Sequence, residues 1–379
     1  MSRHPAVWPD VPSHLRTAQP DHPVLYFLPA RLQATARRFQ KGFPGLVTYA
    51  VKANDNTAVV ENLVAAGLTT FDVASPDEML KVRSVSPRAV MHYNNPVRSM
   101  SEIRAAAGFG IRSYSIDDMG ELEKLASVVP AEGTEISVRL KLPVKGGYYD
   151  FGSKFGAEPA LAAALLKRAV ALGFTPSMTF HPGTQCEDAE AWTAYISRCA
   201  AVAEEADVRL HRLNVGGGFP AHRNGVAPEL EGIFDEIARA VRAAFGEAMP
   251  ALVCEPGRAM VAEAFALCAR VKARRPNGTL FLNDGIYGGM AEAGLIGSVD
   301  RLAVFAPDGS LREGLRFDAI VFGPTCDSLD MIKGTVSLPE TIAEEDYILF
   351  DGMGAYSTAT MTRFNGYGAF DFVTVDHRS

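Results

Sequence analysis

The sequence predicts an α/β protein, a (β/α)8 TIM-type barrel followed by a C-terminal all-β domain. Three observations carry this. Eight short apolar runs alternate with helical patterns from Leu46 to about Val261. Helical patterns give out after about Glu263. Polar residues recur at the C-terminal ends of the apolar runs, where a parallel barrel builds its site.

The strands are expected at 46–51, 70–74, 89–93, 113–116, 136–140, 177–181, 212–215 and 251–255. Segments such as 57–66, 118–129 and 159–172 separate them. In the last, Leu161, Leu165, Ala169 and Leu172 fall at helical spacing on one face. Eight evenly spaced units favour a closed barrel over an open doubly wound sheet. Beyond them, 269–274 and 279–283 flank Pro276-Asn277-Gly278, a hairpin signal. Further strands are expected at 319–322 and 347–350. The domains are therefore expected at 28–262 for the barrel and 263–379 for the β domain, with residues 1–27 adding a strand through 23–27.

Composition narrows the class. Of 379 residues, 47% are apolar and 21% charged, as in a soluble globular enzyme. A net charge of −7 argues against nucleic acid as the main partner. No run reaches the length of a membrane span, and residues 1–22 lack an apolar signal core, so a cytoplasmic protein without membrane contact is expected. Five scattered cysteines suit reduced thiols, and neither a disulfide framework nor a metal site.

Strand ends carry the chemistry. Val47-Thr48-Tyr49-Ala50-Val51 ends on Lys52 and breaks at Asn54-Asp55-Asn56. A lysine there is either a surfacing side chain on the rim or a desolvated amine of depressed pKa that forms a Schiff base. The second strand carries Asp72, with Glu78 after it, and the fifth carries Arg139. The sixth ends in His181-Pro182-Gly183-Thr184, the seventh in Gly216-Gly217-Gly218 and the eighth in Glu255-Pro256-Gly257-Arg258. Triple glycine makes a tight turn or lets backbone N–H groups approach an anion. With Arg258 one strand on, it reads as a phosphate site after strands seven and eight. Lysine and phosphate cradle on one rim point to pyridoxal phosphate, and Glu255 would keep the pyridine nitrogen protonated. His181 is a structural histidine or a group stacked on that ring. In the β domain, Gly323-Pro324-Thr325-Cys326-Asp327-Ser328-Leu329-Asp330 sets a thiol and two acids in a turn-prone stretch. Cys326 is there a small hydrophobe or a proton donor. Asp351-Gly352-Met353-Gly354-Ala355-Tyr356 is by itself a turn.

These motifs in this order resemble the fold-type III pyridoxal-phosphate decarboxylases, which join an alanine-racemase-like barrel to a C-terminal β domain. The resemblance spans Tyr26 to about Gly366, and 323–330 looks most like ornithine decarboxylase. It implies that Lys52 holds the cofactor, with Asp72, Glu78 and Arg139 as neighbours. It implies that His181 stacks on the ring and that Glu255 pairs with its nitrogen. Thr184, Gly218, Arg258 and Tyr356 would bind the phosphate, and Gly216, Gly217, Pro256 and Gly257 would also line the cofactor site. Cys326 would protonate the carbon that loses CO2. Asn283, Asp284 and Asp327 would bind the far end of a dibasic amino-acid substrate, and Phe364 would pack on it, with Asp284 alternatively a turn former. Cys326 and Asp327 would reach the other subunit of a homodimer with shared active sites. The implied reaction takes L-ornithine to putrescine, with L-lysine as the alternative. One departure is His181-Pro182-Gly183-Thr184, where His-Val-Gly-Ser is common. Pro182 removes a backbone donor, and Thr184 keeps the hydroxyl. An amino-acid racemase of the same fold would place an arginine, not Glu255, at the pyridine nitrogen. A catalytically silent relative, like the antizyme inhibitors, would have lost some of Lys52, His181, Glu255, Arg258 and Cys326, all of which are present.

Overall fold

In the computed structural model, residues 7–143, 153–223, 225–293 and 300–378 are described. The chain divides into two compact units. One comprises 36–220 and 228–259; the other comprises 1–35, 221–227 and 260–379.

The first unit is a parallel barrel. Strands Thr70–Val73, Val90–Tyr93, Ser113–Ile116, Glu135–Arg139, Thr175–Thr179, Arg212–Asn214 and Ala251–Cys254 pair in sequence order. The circle closes through an interrupted first strand. Leu46–Val47 pairs with Ala251–Cys254, and Tyr49–Ala50 pairs with Thr70–Val73. Between the halves, the Thr48 N–H donates to the Cys254 carbonyl at 2.9 Å. Parallel strands of this kind are covered on both faces, so their central residues are almost uniformly buried. Helices start within a few residues of the strand ends, because Asn56, Ser75, Ser99 and Asp118 each cap an exposed first turn.

Two expectations need correction. The first strand does not run on to Lys52: Val51–Ala53 is a single 3-10 turn, and Lys52 at its centre is exposed. The turn is held by the Tyr49 hydroxyl, which donates to the Asn54 carbonyl at 2.8 Å, and by the Asn54 N–H on Val51. The helix Pro159–Ala171 buries Ala162, Ala163, Leu165, Leu166 and Ala169, while Leu161 is 37% exposed. The buried stripe is wider than the four-residue pattern and rotated from it, because small alanines pack against the sheet as closely as leucines do.

The second unit is built on strands in the order Leu302–Phe305, Tyr347–Asp351, Phe265–Arg274, Val24–Phe27 and Asp371–Thr374. The expected hairpin is present, with Gly278 at φ +85° and Leu280–Leu282 pairing back on Phe265–Arg274. The run at 319–322 is broken into Arg316–Ala319, which pairs with Val336–Pro339, and Val321–Phe322, which pairs with Leu280–Leu282. The polar N-terminal segment holds a helix, Val11–Ala18, capped by Asp10. Its Val11 and Leu15 join a core with Val24, Tyr26, Cys268 and Leu349, and His14 Nδ1 meets the Tyr26 hydroxyl at 2.8 Å. Among the described residues, no helix is long and apolar enough to cross a membrane.

Candidate active site

Five predicted residues line one cavity of about 230 Å³ in the barrel unit: Lys52, Asp72, Arg139, His181 and Glu255. They come from strands one, two, five, six and eight, at or just past the C-terminal ends. Asn94, Thr179, Phe180 and Phe155 complete much of its wall. Glu78 lies beside it, its Oε2 accepting from the Ala74 N–H at 2.7 Å.

Electrostatics here are those of charge packed out of water. Burial raises the Asp72 carboxyl above its ordinary range, against the pull of Lys52, Asn94 and Arg139. Burial and the neighbouring Asp72 push Glu255 up to about 8, opposed by the Asn214 amide and by Lys52 and Arg139. Glu78 is pushed up to about 7, chiefly by burial. His181 is held well below its ordinary value by burial, then by Lys52 and Arg139, so its ring is neutral near pH 7. The Gly183 N–H donates to His181 Nδ1 at 3.1 Å, which leaves the ring proton on Nε2. The turn through Pro182 thus keeps the imidazole acceptor-bound on one side.

The glycine turn is close-packed. Gly216 and Gly218 adopt φ of +70° and +84°, which favours glycine. A Cβ at Gly216 would lie 2.1 Å from the Phe180 carbonyl oxygen, and one at Gly218 would lie 2.2 Å from that of Gly183. At Gly217 it would lie 2.7 Å from the Glu255 carbonyl oxygen. Three strand ends therefore interlock with backbone against backbone. Gly257 fits likewise, 3.1 Å from Ala53 Cβ for an added methyl. Thr184 and Arg258 are buried, and Arg258 opens the short helix Arg258–Val261 after Pro256-Gly257.

The donor set fits pyridoxal phosphate. It offers an exposed amine for an aldehyde, a neutral aromatic ring at His181, a buried carboxyl for a ring nitrogen, and a close-packed glycine turn with arginine and threonine for a phosphate.

The other predicted residues belong to the β unit. Cys326 is exposed, and its N–H donates to Asn365 Oδ1 at 3.0 Å. Asp327 accepts from the Tyr287 hydroxyl at 2.5 Å and from the Leu329 N–H, which holds its carboxyl below the usual range. Phe364 is 42% exposed, with its ring centroid 5.0 Å from that of Tyr287. Cys326, Asp327, Tyr287 and Phe364 thus form one cluster. Tyr356 sits at φ +59° in its turn. Asn283 and Asp284 are committed to backbone. Asn283 accepts from Arg270 N–H and donates to the Asp21 carbonyl, both at 2.8 Å, and buried Asp284 accepts from the Gly289 N–H at 3.0 Å. Burial pushes Asp284 up to about 6. Asp330, the second acid of the 323–330 stretch, is buried and organises that loop by accepting from Thr325 and Ile286.

Sequence reasoning missed Asn94 and Asn214, whose side-chain amides both donate to Glu255 Oε1. The available signal was position: each is a polar residue at the C-terminal end of a barrel strand.

The pyridoxal-binding domain of the pyridoxal-dependent decarboxylases matches residues 29–262. The decarboxylase flvG of Aspergillus flavus is 32% identical over 345 residues, covering 84% of this chain and 77% of its own. Ornithine decarboxylase of Mus musculus is 30% identical over 358 residues, covering 87% and 75%. The crystal structure of arginine decarboxylase from Paramecium bursaria Chlorella virus superposes with a TM-score of 0.86 at 25% identity, covering 96% of this chain and 98% of that one.

Proposed function

The chain belongs to the pyridoxal-dependent decarboxylase family, and from that premise we propose that it removes CO2 from a basic L-amino acid, L-ornithine above all, to give putrescine. The observation that carries this reading is the gathering of Lys52, Asp72, Arg139, His181 and Glu255 around one cavity.

When bound, pyridoxal phosphate supplies the electron sink for the pair left by departing CO2. Lys52 Nζ is the amine that would hold the cofactor. Neutral His181 would meet the cofactor ring without adding charge there. Glu255 shares a proton with the ring nitrogen; Asp72 and Arg139 set the field around it. Gly216, Gly217, Gly218, Thr184 and Pro256-Gly257-Arg258 would bind the phosphate. Cys326 delivers a proton to the substrate Cα from its thiol. Asp327 recognises the distal ammonium, because a desolvated cation requires charged or polar partners, while Asn283 and Asp284 hold the neighbouring backbone. Phe364 covers the substrate stem. The exposed Cys326–Asp327–Phe364 cluster acts on the other subunit of a cytoplasmic homodimer, so that each site draws on two chains.

The test is CO2 release by cofactor-loaded protein given L-ornithine, L-lysine, L-arginine and meso-diaminopimelate in parallel, beside Lys52→Ala. Release from ornithine above the rest, absent in the variant, is the expected result. A preference for lysine or arginine would reassign the substrate. Silence on all four, with the cofactor absorbance present, would overturn basic amino acids as the substrate class.

A further inference from the structure

Asn94 and Asn214 bring their side-chain amides to the same oxygen of Glu255, Oε1. The orientation of the Asn214 amide is fixed by a second contact. Asn214 Oδ1 accepts the Gly216 N–H at 2.9 Å; a backbone N–H only donates, so Nδ2 is the end that faces Glu255. Glu255 in turn donates its own N–H to the Gly216 carbonyl at 2.9 Å, closing a ring of three residues from two strand ends.

Asn94 is fixed from beneath. Its carbonyl accepts from Ser115 Oγ at 2.7 Å, and its N–H donates to the Val73 carbonyl. Below it, the guanidinium of Arg98, 2% exposed, donates to the carbonyls of Tyr93 at 2.7 Å and Ser115 at 2.6 Å and lies 4.5 Å over the Tyr93 ring. A buried cation thus anchors the loop that presents Asn94. Asn94 lines the same cavity as Asp72 and Glu255, two buried carboxyl groups that repel when both are ionised.

Two amide donors on one carboxylate oxygen favour the anion and fix its rotamer, and they do so without adding net charge. We propose that Asn94 and Asn214 are positioning residues that hold the Glu255 carboxyl in one orientation and favour its anion, so that with the cofactor bound the shared proton resides on the ring nitrogen. This rests on the reading of Glu255 as the partner of that nitrogen. The balance is a single proton passing from the Glu255 carboxyl to the pyridine nitrogen, leaving carboxylate and pyridinium.

The experiment is nitrogen NMR of holoenzyme reconstituted with ring-15N pyridoxal phosphate, for wild type, Glu255→Gln, Asn94→Leu and Asn214→Leu. Wild type is expected to show pyridinium at pH 7. Each asparagine variant is expected to move the signal toward neutral pyridine, with kcat reduced by about tenfold or more and KM little changed. Should Asn214→Leu fail to fold through loss of its Gly216 contact, Asn94→Leu, which touches no glycine turn, carries the test. If Glu255→Gln loses pyridinium while the asparagine variants keep it and lose only thermal stability, the asparagines are structural and the proposal falls alone. If wild type itself shows neutral pyridine, the Glu255 reading falls and takes the proposal with it.

Discussion

The two units treat their acids in opposite ways. In the barrel, Asp72, Glu78 and Glu255 are packed out of water around one cavity, and all three are pushed up by burial. In the β unit, Asp327 is held low by hydrogen bonds in an exposed cluster with Cys326 and Phe364. Buried acids need neighbours already in place, and the barrel supplies them from its own strands: Lys52, Arg139, Asn94 and Asn214. The second cluster keeps Cys326 and Phe364 exposed to solvent. The barrel cavity is preorganised by its own strands.

The largest expected effect comes from Lys52→Ala, which removes the covalent anchor. Decarboxylation should fall by at least about a thousandfold with loss of the bound chromophore, measured by CO2 release and absorbance. An active variant would break the barrel side of the comparison.

Next is a test of sharing. Mixing Lys52→Ala with Cys326→Ala subunits should restore about a quarter of wild-type activity, because random pairing makes half the dimers mixed and gives each of those one intact site. No restoration, with mixed dimers verified by mass, would place both residues in a site belonging to a single chain.

A pH test sharpens the burial argument. The ordinary Glu value is 4.5 and the folded value of Glu255 is about 8, so between these the folded state binds the proton that the unfolded state releases. That contribution is complete below about 4.5 and is lost as pH rises through about 8. Urea unfolding of cofactor-stripped protein should therefore show stability falling with pH across this window more steeply in wild type than in Glu255→Gln. Parallel curves would contradict the burial assigned to this carboxyl.

Asp284 separates two roles. As the acceptor for the Gly289 N–H in a buried loop, its replacement by Ala should cost about 1–3 kcal/mol of stability by thermal unfolding. A rise in substrate KM with unchanged stability would instead favour the ammonium-binding role.

The smallest effect contrasts two leucines on one helix. Leu165→Ala should cost about 2–5 kcal/mol, since the side chain is fully buried, whereas Leu161→Ala should stay within about 0.5 kcal/mol.

The sequence by itself determined the eight-strand alternation, the switch to β structure near 263 and most strand-end groups, because period and polarity along a strand are local properties. It carried the position of Lys52 but not the turn that presents it. That turn exists because the first strand changes partners between Ala251–Cys254 and Thr70–Val73, a consequence of closing the barrel. It could not show that Asn94 and Asn214, 120 residues apart, meet on one oxygen of Glu255. Nor could it tell that Asp284 and Asp330 spend their carboxyl groups on loop backbone while Asp327 stays in an exposed cluster. Those assignments depend on which donors surround each acid after folding. Only tertiary packing decides that, because desolvation and hydrogen bonding act through space and not along the chain.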